Sequence, residues 1–229
     1  MKAEHQILFT GQMVRAILAG HKTQTRRVIK MEVLPCWEIN CQTPGAVYFR
    51  LKDRPDIGSI RFECPWGDVG DLLWVRETWR CTGGGSWYGI AYKATENDAD
   101  VRAYIGCERR GCLTVPDRYR AQWEHCVYKT NRSCDWRPSI HMPKWVCRLR
   151  LKVNAVRVER VQDITEEDVM AEGIVNSPNE TPSCGRKALL IYKWRGLWNS
   201  INAKRGYGWD KNPWVWVIEF EKLESVKSA

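Results

Sequence analysis

Short apolar runs separated by polar loops follow one another along this chain, and most of the runs have the length of strands. Ile7-Leu8-Phe9 predicts a first strand, and Met13, Val14, Ile17 and Leu18 then recur at helical spacing, with Gly20 as the stop. Residues 31–67 carry prolines and glycines without a clear period and predict a long irregular insertion. The turn pair Gly70-Asp71 announces Leu72-Leu73-Trp74-Val75, the signal of a buried strand. Gly83-Gly84-Gly85 breaks the chain before a further strand from Trp87 to Tyr92, and residues 95–135 turn polar and basic, predicting a second insertion. Val146, Leu149, Leu151, Val153, Val156, Val158 and Val161 alternate well enough for one long strand or a hairpin.

Thr165-Glu166-Glu167-Asp168 resembles a capping box, with acids in the first turn where the helix dipole favours them, and the short helix it starts is expected to end near Gly173. Over 185–203, Leu189, Leu190, Trp194, Leu197, Trp198 and Ile201 fall on one helical face. Trp214 to Phe220 predicts a closing strand, and Ser225 onward is expected to fray. Many short strands and few helices predict an α+β protein: one domain over 1–229, a small β-barrel with flanking short helices and two irregular insertions. A closed barrel removes exposed strand edges.

Composition adds a partner class. The 229 residues carry 36 Lys and Arg against 27 Asp and Glu, a net charge of +9, and 44% of them are hydrophobic, too many for a disordered tail protein. The charge is uneven: residues 102–150 hold eleven positive and four negative side chains, whereas 159–180 hold seven acids and one base. A basic surface suggests a polyanion, and phosphate contacts need cations spread along a surface. No apolar run approaches the ~20 residues of a membrane helix, and Met1 to Gln6 lack the apolar stretch of a secretion signal. A soluble, cytoplasmic monomer without membrane contact is therefore expected, in the cytosol of a bacterial host if the chain is phage-encoded.

Ten cysteines without a secretion signal read as reduced thiols. Cys107, Cys112, Cys126 and Cys134 are the one set that could ligate a structural zinc, but they contain no CxxC pair. The expectation is inert thiols, no cofactor and no metal. Less than stoichiometric zinc in purified protein would reject the zinc site.

The sharpest local feature is Gly20-His21-Lys22-Thr23-Gln24-Thr25-Arg26-Arg27, directly after the first helix. Lys22 and Thr25 are close enough to meet in a turn. A lysine among other cations can have a lowered pKa and act as a base, and a neighbouring threonine hydroxyl can then become a nucleophile. The plainer reading is a basic loop that contacts phosphate.

This string, followed by Gly70-Asp71 before an apolar strand, by Ile164 to Gly173 with its terminal acid Glu172, and by the closing strand Ile218-Glu219-Phe220, resembles the ASCH family of PUA-like β-barrels. The resemblance runs from residue 7 to 222 and leaves out the insertions. Val75-Arg76-Glu77-Thr78-Trp79, Trp136 to Pro143 and Gly206 to Trp214 resemble the long phage and prophage branch of that family. One characterised branch hydrolyses the amide of N(4)-acetylcytidine with a lysine, a threonine and a glutamate. By motif these map onto Lys22, Thr25 and Glu172. The resemblance implies Thr25 as nucleophile, Lys22 as its base, and Glu172 as proton donor or orienting acid. This chain is about twice the small enzyme's length, and the insertions can reshape the pocket.

Arg26, Arg27 and Arg76 are candidates for contacting phosphate or a base edge, against a bland role as solvated charge. His141, between Pro138 and Pro143, is the best placed of the four histidines to act near neutral pH, against a role in fixing its turn. Of the 13 tryptophans, Trp74, Trp194, Trp198, Trp214 and Trp216 read as core, whereas Trp79, Trp136 and Trp209 sit in loops and are candidates for stacking on a base. Three functions follow: an amidohydrolase of acylated cytosine in a nucleoside or nucleic acid, a non-catalytic module binding RNA or single-stranded DNA, or a ribonuclease using the same cleft.

Overall fold

The computed structural model describes residues 2–30, 37–84, 87–95, 135–175 and 185–223. It is a mixed α+β structure, mostly strands in several sheets. Strands β1 (Glu4–Leu8), β2 (Gln24–Val28), β3 (Trp37–Thr43), β4 (Ala46–Leu51), β5 (Ile60–Glu63), β6 (Leu72–Arg76), β7 (Trp79–Gly84), β8 (Trp87–Tyr92), β9 (Arg150–Arg160) and β10 (Trp214–Lys222) are accompanied, among the described residues, by three α-helices, α1 (Gly11–Leu18), α2 (Glu166–Ala171) and α3 (Arg186–Asn202). Five strands form one sheet in the order β1-β6-β9-β10-β2. Among the described residues this sheet does not close into a barrel, and β1 and β2 are its edges.

Local chemistry accounts for the helix ends. The side chain of Thr165 accepts from the Asp168 amide and that of Asp168 from the Thr165 amide, so the capping box of α2 is complete. Gly20 after α1 and Gly173 after α2 both stand at positive φ, 77° and 89°, where a side chain would be strained. The 145–161 segment resolves into a 3-10 turn over Lys144–Val146 and the single strand β9, not a hairpin.

The largest departure from the sequence reading lies in residues 37–63, expected to be irregular. They form a three-stranded antiparallel sheet, β3-β4-β5. Two features hide its period. Its register shifts between Ile39 and Cys41, and β4 buries the consecutive pair Ala46 and Val47 as well as Phe49. β7, pairing with β8 from Trp79↔Tyr92 to Gly84↔Trp87, was likewise unread, because its glycines resemble a turn. Most of the second insertion, and everything from Leu223 onward except Leu223 itself, lie outside the described residues.

The chain divides into two compact units. The first draws on Met1–His5, Ala16–Leu73 and Leu151–Lys222. Its core joins Val161, Ile164, Val169, Leu190, Trp194, Trp198, Val215 and Val217, so α2 and α3 pack on the face of β10 that carries Val215 and Val217. The second draws on Gln6–Arg15, Trp74–Arg150 and Leu223–Ala229, with a core of Trp79, Cys81, Ile90, Tyr92, Met142 and Val146.

Trp198 is 2% exposed and its indole donates to the Tyr207 carbonyl at 2.8 Å, tying α3 to the turn that follows it. Trp198→Ala is expected to lower unfolding free energy by about 3–5 kcal/mol in urea titration, the range for emptying a buried aromatic site. A loss below about 1 kcal/mol would show that α3 is not part of this core.

Candidate functional site

Lys22 stands where the end of α1 turns into the edge strand β2. Its amide donates to the Ala16 carbonyl, and the Thr23 amide donates to the carbonyl of Ala171 at the end of α2. Lys22 and Glu172 form an isolated antiparallel bridge, so the C-terminal turn of α2 covers the start of the open edge of β2. Gly173 makes the approach possible: a Cβ there would lie 3.0 Å from the Cβ atoms of both Ala16 and Lys22.

Backbone pairing places the two charged side chains face to face. Lys22 Nζ donates to Glu172 Oε2 at 2.5 Å, to the Glu172 carbonyl at 3.0 Å and to the Gln24 carbonyl at 2.7 Å. Three acceptors match the three protons of an ammonium. Both side chains are sealed, at 0% and 2% exposure. Burial pushes the Lys22 pKa below its ordinary value, and the attraction of Glu172 opposes that shift without cancelling it. The other carboxylate oxygen, Oε1, lies 3.5 Å from Arg26 Nη1 and makes no hydrogen bond among the described residues.

Arg26 is also fully buried, and four side chains hold it. Its Nε donates to Glu159 at 3.0 Å, Nη1 to the Gln24 Oε1 at 2.7 Å, and Nη2 to Glu159 and to Asp168 at 2.5 and 2.8 Å. Arg157 on β9 binds Asp168, Glu159 and Glu219 in turn. Cross-strand register explains the grouping. Arg26 stands opposite Val217 and Val217 opposite Arg157, so Arg26, Gln24, Arg157 and Glu159 share the face that α2 and α3 cover.

Thr25 lies on the other face of β2, opposite Ile218 and alternating with Gln24 and Arg26. It is 3% exposed, and among the described residues its hydroxyl makes no hydrogen bond to Lys22 or Glu172. The carbonyl that anchors the Lys22 ammonium belongs to the residue just before Thr25. Standard peptide dimensions therefore put the ammonium within about 5.5 Å of the Thr25 Cα. Arg27 shares the Thr25 face. Burial lowers its pKa to about 10, with Glu172 opposing the shift and Arg205 adding to it.

A cleft of about 520 Å³ adjoins this edge, lined by Lys22, Gln24, Asp168 and Glu219 among others. Its charged lining is four carboxylates, Glu167, Asp168, Glu219 and Glu221, against Lys22 and Lys222. Such a rim repels phosphate.

The remaining candidates are dispersed. In the second unit, Arg76 donates to the Ser139 carbonyl and to Gln6, and His141 is exposed in the Ser139–His141 turn. Trp79 is 3% exposed within the core of that unit, with the Arg137 guanidinium 5.2 Å from its ring. Trp136 is half-buried, and its ring lies 4.3 Å from the Arg80 guanidinium and 5.8 Å from Lys93 Nζ. In the first unit, Trp209 is half-buried, donates its amide to the Asn199 side-chain oxygen and lines a groove beside α3. Cys107, Cys112, Cys126 and Cys134 lie outside the described residues.

Sequence reading missed Gln24, Arg157, Glu159 and the second role of Asp168. Asp168 is recognisable in sequence as a capping residue, but nothing in the sequence tells that the same carboxylate also binds Arg26, Arg157 and Gln24. Glu77, 1% exposed and bound bidentately by Arg148 with both distances 2.9 Å, was also unread. With this geometry in hand, comparison with family models, curated proteins and solved structures finds no match to the chain.

Asp168 sets a pH dependence. Burial raises its pKa, but the Gln24 amide, Arg26, the Thr165 amide and Arg157 together hold it below the ordinary value. Its stabilisation is thus present above the unfolded pKa of about 3.9 and is lost as pH falls through the lower folded value. Asp168→Asn is expected to lose about 3 kcal/mol at pH 7, the scale for orphaning a buried partner, and the gap from wild type should narrow by pH 3. Equal losses at both pH values in urea titrations would show that the carboxylate charge is not what matters.

Proposed function

We propose that the protein is a metal-independent amidohydrolase that removes the acyl group from cytosine acylated on its exocyclic amine, and that its first unit is an ASCH-type, PUA-like domain. One observation carries this reading: Lys22 and Glu172, 150 positions apart, meet as a sealed pair beside Thr25, the three residues singled out by the motif. A structural ion pair alone does not require the threonine, and a phosphate site does not require a buried acid.

The chemistry follows from the positions. Burial lowers the Lys22 pKa and so eases loss of the proton that frees the amine to act as a base. Thr25 Oγ attacks the acyl carbonyl carbon while its proton passes to Lys22. Collapse of the tetrahedral intermediate breaks the C–N bond, and Lys22 returns the proton to the leaving cytosine amine. Water, deprotonated by the same lysine, then cleaves the threonine ester, releasing the carboxylic acid and restoring the hydroxyl. Glu172 orients the lysine throughout. Arg27, on the Thr25 face, is the cation placed to offset the oxyanion. The cleft that adjoins Lys22 is lined by Gln24 and not by Thr25, and its acidic rim disfavours a polyanion next to the lysine.

The test is release of cytidine from N(4)-acetylcytidine, followed chromatographically. Wild type is expected to turn it over, with a rate that climbs with pH as Lys22 loses its proton. Thr25→Ala and Lys22→Met, checked for folding by circular dichroism, should each lose roughly a hundredfold or more. Folded wild-type protein that hydrolyses no acylated cytosine would overturn the proposal.

A further inference from the structure

A second feature of the first unit has no part in that chemistry. Along the solvent side of α3 runs a groove of about 630 Å³, lined by Gly185, Lys187, Ala188, Ile191, Tyr192, Arg195 and Trp209. We infer that this groove binds single-stranded nucleic acid, stacking a base against Tyr192 and Trp209 and holding the flanking phosphates with Lys187 and Arg195.

Three observations support the assignment. Tyr192 is 74% exposed, the highest value among the exposed large hydrophobic side chains of the described residues, yet it sits at the wall of a formed groove. An aromatic ring left in water in a groove that a second ring also lines is a stacking platform for any base. Trp209 supplies that second ring: it is half-buried, and its backbone is fixed by the Asn199 side chain on its amide at 2.7 Å and the Gln162 side chain on its carbonyl at 2.8 Å. Of the three loop tryptophans it is the one that lines a groove; Trp79 is closed into a core, and the Trp136 ring already faces cations.

Charge is the third. Residues 186–205 contain six lysines and arginines and no acid. The first turn of α3 has no acidic residue, although this is the helix end where acids are favoured. Lys187 and Arg195 are eight residues apart, about 12 Å along a helix, and so stand on either side of Tyr192 along α3. Arg195 reaches Asp210 at 2.9 Å, but both are well exposed, at 48% and 77%. A pair of that kind holds weakly and exchanges readily for a phosphate. Rings and cations in one groove match a chain of bases and phosphates more closely than an acidic peptide, which would leave the two rings without planar partners.

The test uses the full chain and fluorescein-labelled dT15 and U15 oligonucleotides, with binding read by anisotropy from 50 to 300 mM salt. Wild type is expected to bind both. Tyr192→Ala, an exposed position where the fold should survive, is expected to weaken binding at least fivefold, the low end of a stacking loss. Lys187→Gln with Arg195→Gln should reduce the salt slope by about 1.4, the value for two phosphate contacts on a single strand. A labelled poly-glutamate peptide should bind at least tenfold more weakly and be indifferent to Tyr192→Ala. Absence of oligonucleotide binding at 50 mM salt, binding unchanged in both variants, or tighter Tyr192-dependent binding of the acidic peptide would each overturn the assignment. The readout is binding without turnover, so it stands or falls separately from the amidohydrolase.

Discussion

The contact between the Lys22 ammonium and the Glu172 carboxylate organises the first unit. Two charges removed from water are costly, and only close geometry with every donor used makes such a pair tolerable. Here the ammonium spends its protons on a carboxylate and two carbonyls, one of them the Glu172 carbonyl itself. Side chain and backbone therefore fasten the same point: the end of α2 is bridged to the start of β2, and Gly173 lets the two backbones approach. Displacing either element would strand a charge in the interior.

From that point the charges divide by face. One face of β2 carries Gln24 and Arg26 into a network with Glu159, Asp168 and Arg157 beneath the helices. The other carries Thr25 and Arg27. Three of the seven acids counted between 159 and 180, Glu159, Asp168 and Glu172, thus surround one arginine, while Lys187 and Arg195 on α3 are exposed, with no acid on their own helix. A net charge of +9 suggests one polyanion surface; in the first unit the structure separates an acid-rimmed cleft from a basic aromatic groove. The proposed chemistry and the proposed binding surface follow that separation.

What could be read in the sequence was what depends on near neighbours. α1, α2, α3, β6, β8 and β10 announced themselves by period, cap or turn, and the capping box of α2 formed from its own four residues. The sheet of β3, β4 and β5 did not, because a bulge shifts its register and consecutive burial in β4 interrupts the alternation. Lys22 and Glu172 were singled out as residues, but their direct contact depends on a bridge between positions 150 apart. Arg26 shows the limit most clearly. In sequence it is one cation in a basic loop; in the fold its guanidinium is enclosed by three carboxylates from two other segments, Glu159 on β9 and Asp168 and Glu172 of α2 and its cap. The strand alternation that buries Arg26 also turns Thr25 to the opposite face.

The most direct measurement of the central contact is a double-mutant cycle on Lys22→Met and Glu172→Gln by equilibrium unfolding in urea at pH 7. Each single change is expected to cost about 3–5 kcal/mol, because each leaves a buried partner uncompensated. The double variant should lose far less than their sum, with a coupling energy above about 1.5 kcal/mol. Losses that add to within about 0.5 kcal/mol would contradict the claim that this pair holds the end of α2 to the edge of the sheet.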